Sequence, residues 1–297
     1  MALSATALQE IRDVLVTIAK ESGQIILSAH PNTTDTTTKK NTTDIATATD
    51  LAVETHIRGR LKTQYPHYAF IGEESFTPGS PIPSTPTFIV DPIDGTTNFV
   101  LHFPDVCVSI GLTVDGTPTV GVVYNPFLDE LYTGISGQGA HLTRANRAPQ
   151  KLPLHSGPLV GLRSACVGLD WGSDREGPNF LLNLRVFETL ARSAATGGKF
   201  VPALRFTGSA AMTICRIAAG QQDMFWECGC YAWDVAAAWC ILSEAGGLVV
   251  DAHPGNWNPR VDNERFLVVR PAVQGQREIV EEFWGVVGEE RSTYGPS

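Results

Sequence analysis

The sequence predicts a mixed protein of stacked layers, α+β or layered α/β. Three observations carry this. Stretches of helical apolar spacing open and close the chain. A run of short alternating segments, split by turn residues, lies between about 68 and 143. Beyond about residue 155, short strands alternate with helices instead. The 297 residues suggest about one to two domains. We expect a boundary near Ser156–Pro158, with an α+β unit over 1–155 that contains an antiparallel meander and an α/β unit over 156–297.

Leu8, Ile11, Val14, Leu15, Ile18 and Ile25 recur at near-helical spacing and predict a helix over 5–29, ended by the Ser28–Pro31 stretch. Residues 32–44 are polar and threonine-rich, the composition of an exposed loop, and carry Lys39 and Lys40. A second helix fits Thr47 to Lys62 with Leu51, Val53 and Ile57 inward. Strands follow at Tyr68–Gly72 and Thr87–Asp91. The meander takes up Val106–Val114, Thr119–Val123, Glu130–Thr133 and Gly139–Thr143, with turns at Asp115-Gly116 and Pro126–Asp129. Four further helices are predicted at about 178–193, 209–219, 234–245 and 273–286.

Composition removes several functional classes. Hydrophobic residues at 43% and charged residues at 18% exclude a disordered chain. Twenty-two basic against 31 acidic residues give a net charge of −9, and no basic run exceeds Lys39-Lys40, so no nucleic-acid partner is expected. Anionic small substrates stay compatible, because a bound divalent metal reverses the local field. The six cysteines form no C-x-x-C pair and sit mostly among apolar residues, which predicts free thiols and a reducing, cytoplasmic setting. Seven scattered histidines with no H-x-x-H or H-E-x-x-H argue against zinc. No stretch of about 18 uncharged apolar residues exists, so no membrane partner is expected, and Glu10, Arg12 and Asp13 are unlike a signal peptide.

The segment that carries chemistry is Phe88-Ile-Val-Asp-Pro-Ile-Asp-Gly-Thr-Thr-Asn-Phe99. A hydrophobic strand runs into Asp91, and Pro92 cannot continue its ladder, so a turn is expected. Asp94 follows three residues on, and Gly95 with Thr96 and Thr97 reads as a helix start. A lone Asp-x-x-Asp is ordinarily a turn with an aspartate cap. Here two carboxylates on one turn make a hard, oxygen-rich site suited to Mg²⁺, and the adjoining helix start offers N–H groups to a phosphate. Glu73 and Glu74 end the strand before it. Adjacent residues on extended chain face opposite ways, so one is expected to reach the site and the other to pair elsewhere. Asp234, in the apolar Tyr231–Trp239 stretch, must cap a helix, be paired or bind a cation.

Gly72-Glu-Glu-Ser75, Asp91-Pro-Ile-Asp-Gly-Thr-Thr-Asn98 and Trp233-Asp-Val-Ala236, with Asp50 ahead of them, resemble the signatures of the inositol monophosphatase family. The match runs in order over nearly the whole chain. The resemblance implies a layered αβαβα sandwich of the sugar-phosphatase type, a homodimer, and a Mg²⁺-dependent, lithium-sensitive phosphomonoesterase acting on a small phosphate ester. It makes 1–155 the metal-binding half and 156–297 the substrate-side half. It implies that Glu73, Asp91 and the Ile93 carbonyl hold one Mg²⁺, that Asp91, Asp94 and Asp234 hold a second, and that a third leans on Glu73 through water. Asp50 and Thr96 would activate the attacking water, and the Gly95 and Thr96 N–H groups would hold the phosphate.

On the substrate side, Thr207-Gly-Ser-Ala-Ala211 resembles the family's polyol-pocket segment. Ser209 leaves room for the ring, Ala210 offers a backbone contact, and Glu227 offers a carboxylate to sugar hydroxyls. Tyr231 stands where animal-type members carry a histidine, and Cys228-Gly-Cys230 beside it is unusual. Lys39 matches a mobile loop of the family, and the 165–205 segment resembles the family least. The reading is therefore hydrolysis of inositol monophosphate or a similar polyol phosphate. A nucleotide 3′-phosphatase, a fructose-bisphosphatase-like enzyme, a dedicated pathway phosphatase and a silent polyol-phosphate binder are the alternatives.

Overall fold

The computed structural model describes residues 3–29, 36–38 and 45–295. Lys39, Lys40 and most of the threonine-rich stretch lie outside the described residues.

Ser4 caps α1 (Ala5–Ser28) by accepting the Ala7 N–H at 3.1 Å. Two short strands, β1 (Thr36–Thr38) and β2 (Ile45–Thr47), pair antiparallel ahead of α2 (Ala48–Gln64). The phase of α2 differs from the expected one. Leu51 is 55% exposed, while Asp50, Val53, Glu54, Ile57 and Leu61 face inward. Two acids thus occupy the buried stripe of the helix, so apolar spacing alone sets its rotation wrongly.

A seven-stranded sheet follows: β3 (Ala69–Gly72), β4 (Thr87–Asp94), β5 (Cys107–Val114), β6 (Thr117–Asn125), β7 (Glu130–Ile135), β8 (Gly139–Arg144) and β9 (Gln150–Lys151), neighbours in that order. The β3–β4 pair is parallel and the rest are antiparallel. The short helix α3 (Thr96–Val100) joins β4 to β5. The second half forms β10 (Cys166–Leu169), α4 (Gly177–Ala191), β11 (Ala203–Arg205), α5 (Ala210–Ala218), β12 (Met224–Cys228), α6 (Ala232–Ala245), β13 (Leu248–Val250), β14 (Arg265–Val269) and α7 (Gln276–Val287). Its five-stranded sheet has the order β11-β10-β12-β14-β13, with the first three strands parallel.

Side-chain alternation along the strands separates three cores. On β4, Phe88 and Val90 pack with α1 and α2, whereas Ile89 packs with α5 and α6. On β12, Phe225 faces that same α5–α6 layer, and Met224 and Trp226 face α4 and α7. The result is the αβαβα sandwich, with α5 and α6 as the filling between the sheets. They come so close to the first sheet that only glycine fits at 121, where a Cβ would run into the Ala237 carbonyl. No helix among the described residues is long and apolar enough to cross a membrane. All six cysteines are unpaired, five of them buried.

Candidate active site

The Asp-x-x-Asp motif is delivered by a bulge rather than a turn. β4 does not stop at Asp91 but runs on to Asp94. Its register against β5 pairs Asp91 with Ser109 and resumes with Asp94 opposite Cys107. Pro92, with no N–H to give, sits in the interrupted stretch, where a ladder tolerates proline. The Asp91 Oδ1 then accepts the Ile93 N–H at 3.0 Å.

Asp234 reaches the same place from α6. It is the third residue of that helix rather than its cap, and its Oδ2 accepts the Tyr231 N–H at 2.5 Å. A carboxylate suits this first turn, where backbone N–H groups point outward. Ligand atoms of Asp91, Asp94 and Asp234 lie within 4.8 Å of one another.

Asp94 is held hardest. Its Oδ2 accepts the Ser209 hydroxyl at 2.6 Å, the Ala211 N–H at 2.7 Å and the Cys107 thiol at 3.7 Å. Ser209, expected to make room for a ring, is 1% exposed and is spent on Asp94 and on capping α5. Ala210, beside it, opens α5 and is buried.

Burial, and then the charges of Glu73, Asp94 and Asp234, pushes the Asp91 carboxyl well above the ordinary range. Asp234 is pushed up by burial, then by Asp94 and Glu73. Burial raises Asp94 to about 6, although its donors Ser209 and Ala211 pull the other way. Acids this close cannot all ionise without a positive countercharge. The donor set is all oxygen, hard and convergent, which fits Mg²⁺.

Glu73 lies against Asp91, near enough for charge and a hydrogen bond between them to raise Asp91. Glu74 does not turn wholly away, because its charge raises Asp50. The backbone N–H of Glu74 is held at 2.8 Å by Glu54, a residue the sequence analysis passed over. The available signal was its position four residues after Asp50 on one helix face. Gly72 is glycine because a Cβ there would strike the Glu54 carboxylate.

Asp50 is fully buried. Its Oδ2 accepts the Thr47 N–H at 2.8 Å and, more closely still, the Thr47 hydroxyl. Its Oδ1 lies 3.2 Å from the Thr96 hydroxyl, which is also 3.1 Å from the Ile93 carbonyl. Burial raises the Asp50 carboxyl against the pull of the Thr47 bonds. Gly95, ahead of α3, has φ of +95°, and a Cβ there would come 2.8 Å from the Asp105 carbonyl. Asn98 ties this corner to the second half of the chain by donating to the Asp105 and Thr207 carbonyls at 2.9 and 2.8 Å.

Glu227, next to last in β12, has a buried Oε2 with no hydrogen-bond partner among the described residues. Burial, then Asp170, Asp234 and Asp94, raises it well above the ordinary range. Asp170 follows β10, one step beyond the Leu169–Trp226 register pair, and so stands beside Glu227. Its Oδ1 lies 3.4 Å from the Gly208 N–H, and burial lifts its carboxyl to about 7. Trp171 stacks on Phe206 at 5.6 Å, with Phe187 tilted against both. The Tyr231 ring stacks on Trp233 at 4.7 Å and is 45% exposed. Asp170 and Trp171 lie in the 165–205 segment, the one that resembles the family least.

The model of the inositol monophosphatase family matches residues 7–287. Inositol monophosphatase 2 of Saccharomyces cerevisiae is 38% identical over 96% of this chain and 97% of its own length. Inositol monophosphatase 1 of the same yeast is 44% identical over 85% of this chain and 86% of its own. The solved inositol monophosphatase of Anabaena superposes with a TM-score of 0.73 at 28% identity, covering 94% of each chain.

Proposed function

The chain belongs to the inositol monophosphatase family and is a phosphoric monoester hydrolase, and from that premise we propose that it hydrolyses inositol monophosphate or a close polyol phosphate with two or three Mg²⁺ ions. The observation that carries this reading is the convergence of Asp91, Asp94 and Asp234 within 4.8 Å, beside the Asp50–Thr96 pair.

Glu73, Asp91 and the Ile93 carbonyl would hold one ion, Asp91, Asp94 and Asp234 a second, and Glu73 would support a third through water. When bound, Mg²⁺ supplies charge to neutralise the phosphoryl oxygens and the departing alkoxide, and acidifies water. The rest falls to the chain. Thr96 Oγ1 can accept a hydrogen bond from the attacking water while giving its own proton to Asp50 Oδ1, 3.2 Å away. The raised Asp50 carboxyl is a stronger base than an exposed aspartate. The N–H groups of Gly95 and Thr96 would orient the phosphate, and the Ala210 backbone with Glu227 the alcohol part. Glu227 is suited to this because its Oε2 is buried without a partner, and a hydroxyl would satisfy it.

One observation favours a second reading of the substrate. The half-exposed Tyr231 ring, backed by the buried Trp233 next to Asp234, is a flat face, which suits an aromatic or nucleotide ester. A panel of inositol, sugar, nucleotide and aryl phosphates, read by released phosphate, separates the two. Highest kcat/KM on inositol monophosphate supports the first, and on the nucleotide the second.

We also propose a homodimer. Leu101, Phe103, Phe127 and Leu128 are exposed apolar residues on two turns that Asn125 joins, through the Pro104 carbonyl on one side and the Phe127 and Leu128 N–H groups on the other. Light scattering on the eluted protein tests this. Six free thiols agree with a reducing, cytoplasmic setting. Inhibition by millimolar Li⁺ is the family's expectation, and assays at rising Mg²⁺ would reveal competition.

A further inference from the structure

We propose that the C-terminal tail, residues 292–295, is a strap that sets the substrate-side wall of the site, with Tyr294 as its positioning residue. The inference rests on the reading that Glu227 faces the alcohol part of the substrate.

The tail meets both segments that carry that wall. The Tyr294 hydroxyl donates to Asp174 Oδ2 at 2.5 Å. Asp174 belongs to the loop that starts with Asp170 and Trp171, and its Oδ2 also accepts Asn179 Nδ2 at 2.8 Å. Asn179 returns to the tail, accepting the Thr293 N–H at 2.8 Å. The ring of Tyr294 lies on Gly229. A Cβ at that glycine, whose φ is +102°, would come 2.9 Å from the ring. Gly229 stands between Glu227, which has the orphaned Oε2, and Tyr231, and its N–H donates to the Glu264 carbonyl at 2.7 Å. The Glu264 carboxylate in turn accepts the Gly295 N–H at 3.1 Å, and Arg265 donates to the Tyr294 carbonyl at 2.8 Å.

One aromatic side chain therefore pins the loop of Asp170 and the loop after Glu227 against each other. This gives the glycine of the Cys228-Gly-Cys230 sequence a role: it is the seat of the Tyr294 ring, with both cysteines buried beside it. Removing the ring loosens both loops and leaves the bulge of β4 in place, while the bond from the Tyr231 N–H to Asp234 still holds the start of α6. The cost should then appear in how well the alcohol part is held.

The experiment compares wild type, Tyr294→Phe, Tyr294→Ala, Gly229→Ala and Glu227→Ala on inositol monophosphate and on an aryl phosphate without hydroxyls. Mg²⁺ titrations and melting curves accompany each protein. Tyr294→Ala is expected to lower kcat/KM on inositol monophosphate about tenfold, mainly through KM, with the aryl phosphate changed less than about twofold. The half-saturating Mg²⁺ should stay at its wild-type value. Gly229→Ala, which displaces the ring while keeping Tyr294 and also strains the backbone at φ +102°, should reproduce this selectivity with a lower Tm. Tyr294→Phe keeps the ring on Gly229 and loses the hydroxyl that holds Asp174, so it should give a smaller loss, about threefold, in a protein whose Tm falls by no more than a few degrees. Discrimination by Glu227→Ala but not by Tyr294→Ala or Gly229→Ala overturns the strap and leaves the polyol reading standing. Equal losses on both esters in Tyr294→Phe also overturn it. No discrimination by Glu227→Ala overturns the polyol reading, and the strap's role in specificity with it.

Discussion

The acidic floor of the site and its substrate-side wall are built to different standards of rigidity. Asp50, Asp91 and Asp94 are 0, 2 and 7% exposed and sit on α2 and β4, where backbone N–H groups and hydroxyls already hold their oxygens. The wall is made of segments that leave strands and enter helices: Asp170 and Trp171 after β10, Phe206 to Gly208 before α5, Gly229 to Tyr231 before α6. Phe206 and Tyr231 are 42% and 45% exposed, and ring stacking is prominent here. The floor presents carboxylates that need a countercharge, and the wall presents apolar faces with two half-buried acids, Asp170 and Glu227. Under the proposed function, chemistry that must be placed to a fraction of an ångström stands on elements closed by hydrogen bonds, while selection of the alcohol is left to loops.

The largest expected effects test the floor. Asp94→Asn and Asp234→Asn should each lower turnover below about one thousandth of wild type on every ester, since both remove charge where countercharge is concentrated. EDTA should do the same to wild type, and Ca²⁺, which prefers more ligands at longer distances, should not restore it. Activity surviving in EDTA or in either variant would break the division at its root.

Thr96→Ala comes next. A loss of about 10²-fold or more in kcat is expected on inositol and aryl phosphates alike, with Mg²⁺ dependence retained, because Thr96 meets Asp50 rather than the three clustered acids. Loss confined to one ester would place Thr96 with the wall.

Glu227→Ala should separate the regions most sharply. Losing a charged acceptor for buried hydroxyls costs roughly 1.5–3 kcal/mol, or about 10- to 150-fold in kcat/KM on inositol monophosphate. The aryl phosphate should be nearly unaffected. Equal loss on both would make Glu227 a support of the floor.

The smallest effect is on stability. Burial holds Asp94 at about 6 in the fold, above the ordinary unfolded value near 4. Between those values the folded chain keeps a proton that the unfolded chain has released, so metal-free stability falls as pH rises through that window. In EDTA, wild type should therefore lose several degrees of Tm relative to Asp94→Asn between about pH 4 and 7. Saturating Mg²⁺ should raise the wild-type Tm at pH 7. A Tm difference between the two proteins that stays constant with pH would show that Asp94 is not held protonated.

Much of the floor was legible because its signal is local. Asp91, Asp94, Gly95 and Thr96 lie within six residues of one another, and one strand and one short helix present them together. The layered class was legible for the same reason, as α1, the meander and α7 each repeat their own period over a short span. The phase of α2 was not. An apolar count places Leu51 inside, whereas the need to face Asp50 and Glu54 toward the site turns it outward. The bulge at Pro92 was read as a turn because the lost N–H is visible in the residue, while the strand that continues past it is visible only once β5 lies alongside.

What the sequence by itself determined, then, is the kind of chemistry: hard oxygen donors on a strand end and a helix start beside them. Tertiary structure alone decided which groups hold those donors. Ser209 binds Asp94 across 115 positions, and Tyr294 binds Asp174 across 120. Neither serine nor tyrosine carries a local mark of such a role. The physical reason is that a hydrogen bond between distant residues is set by where sheets and helices bring their ends together, and periodicity along the chain reports only what lies within a turn or two of each residue.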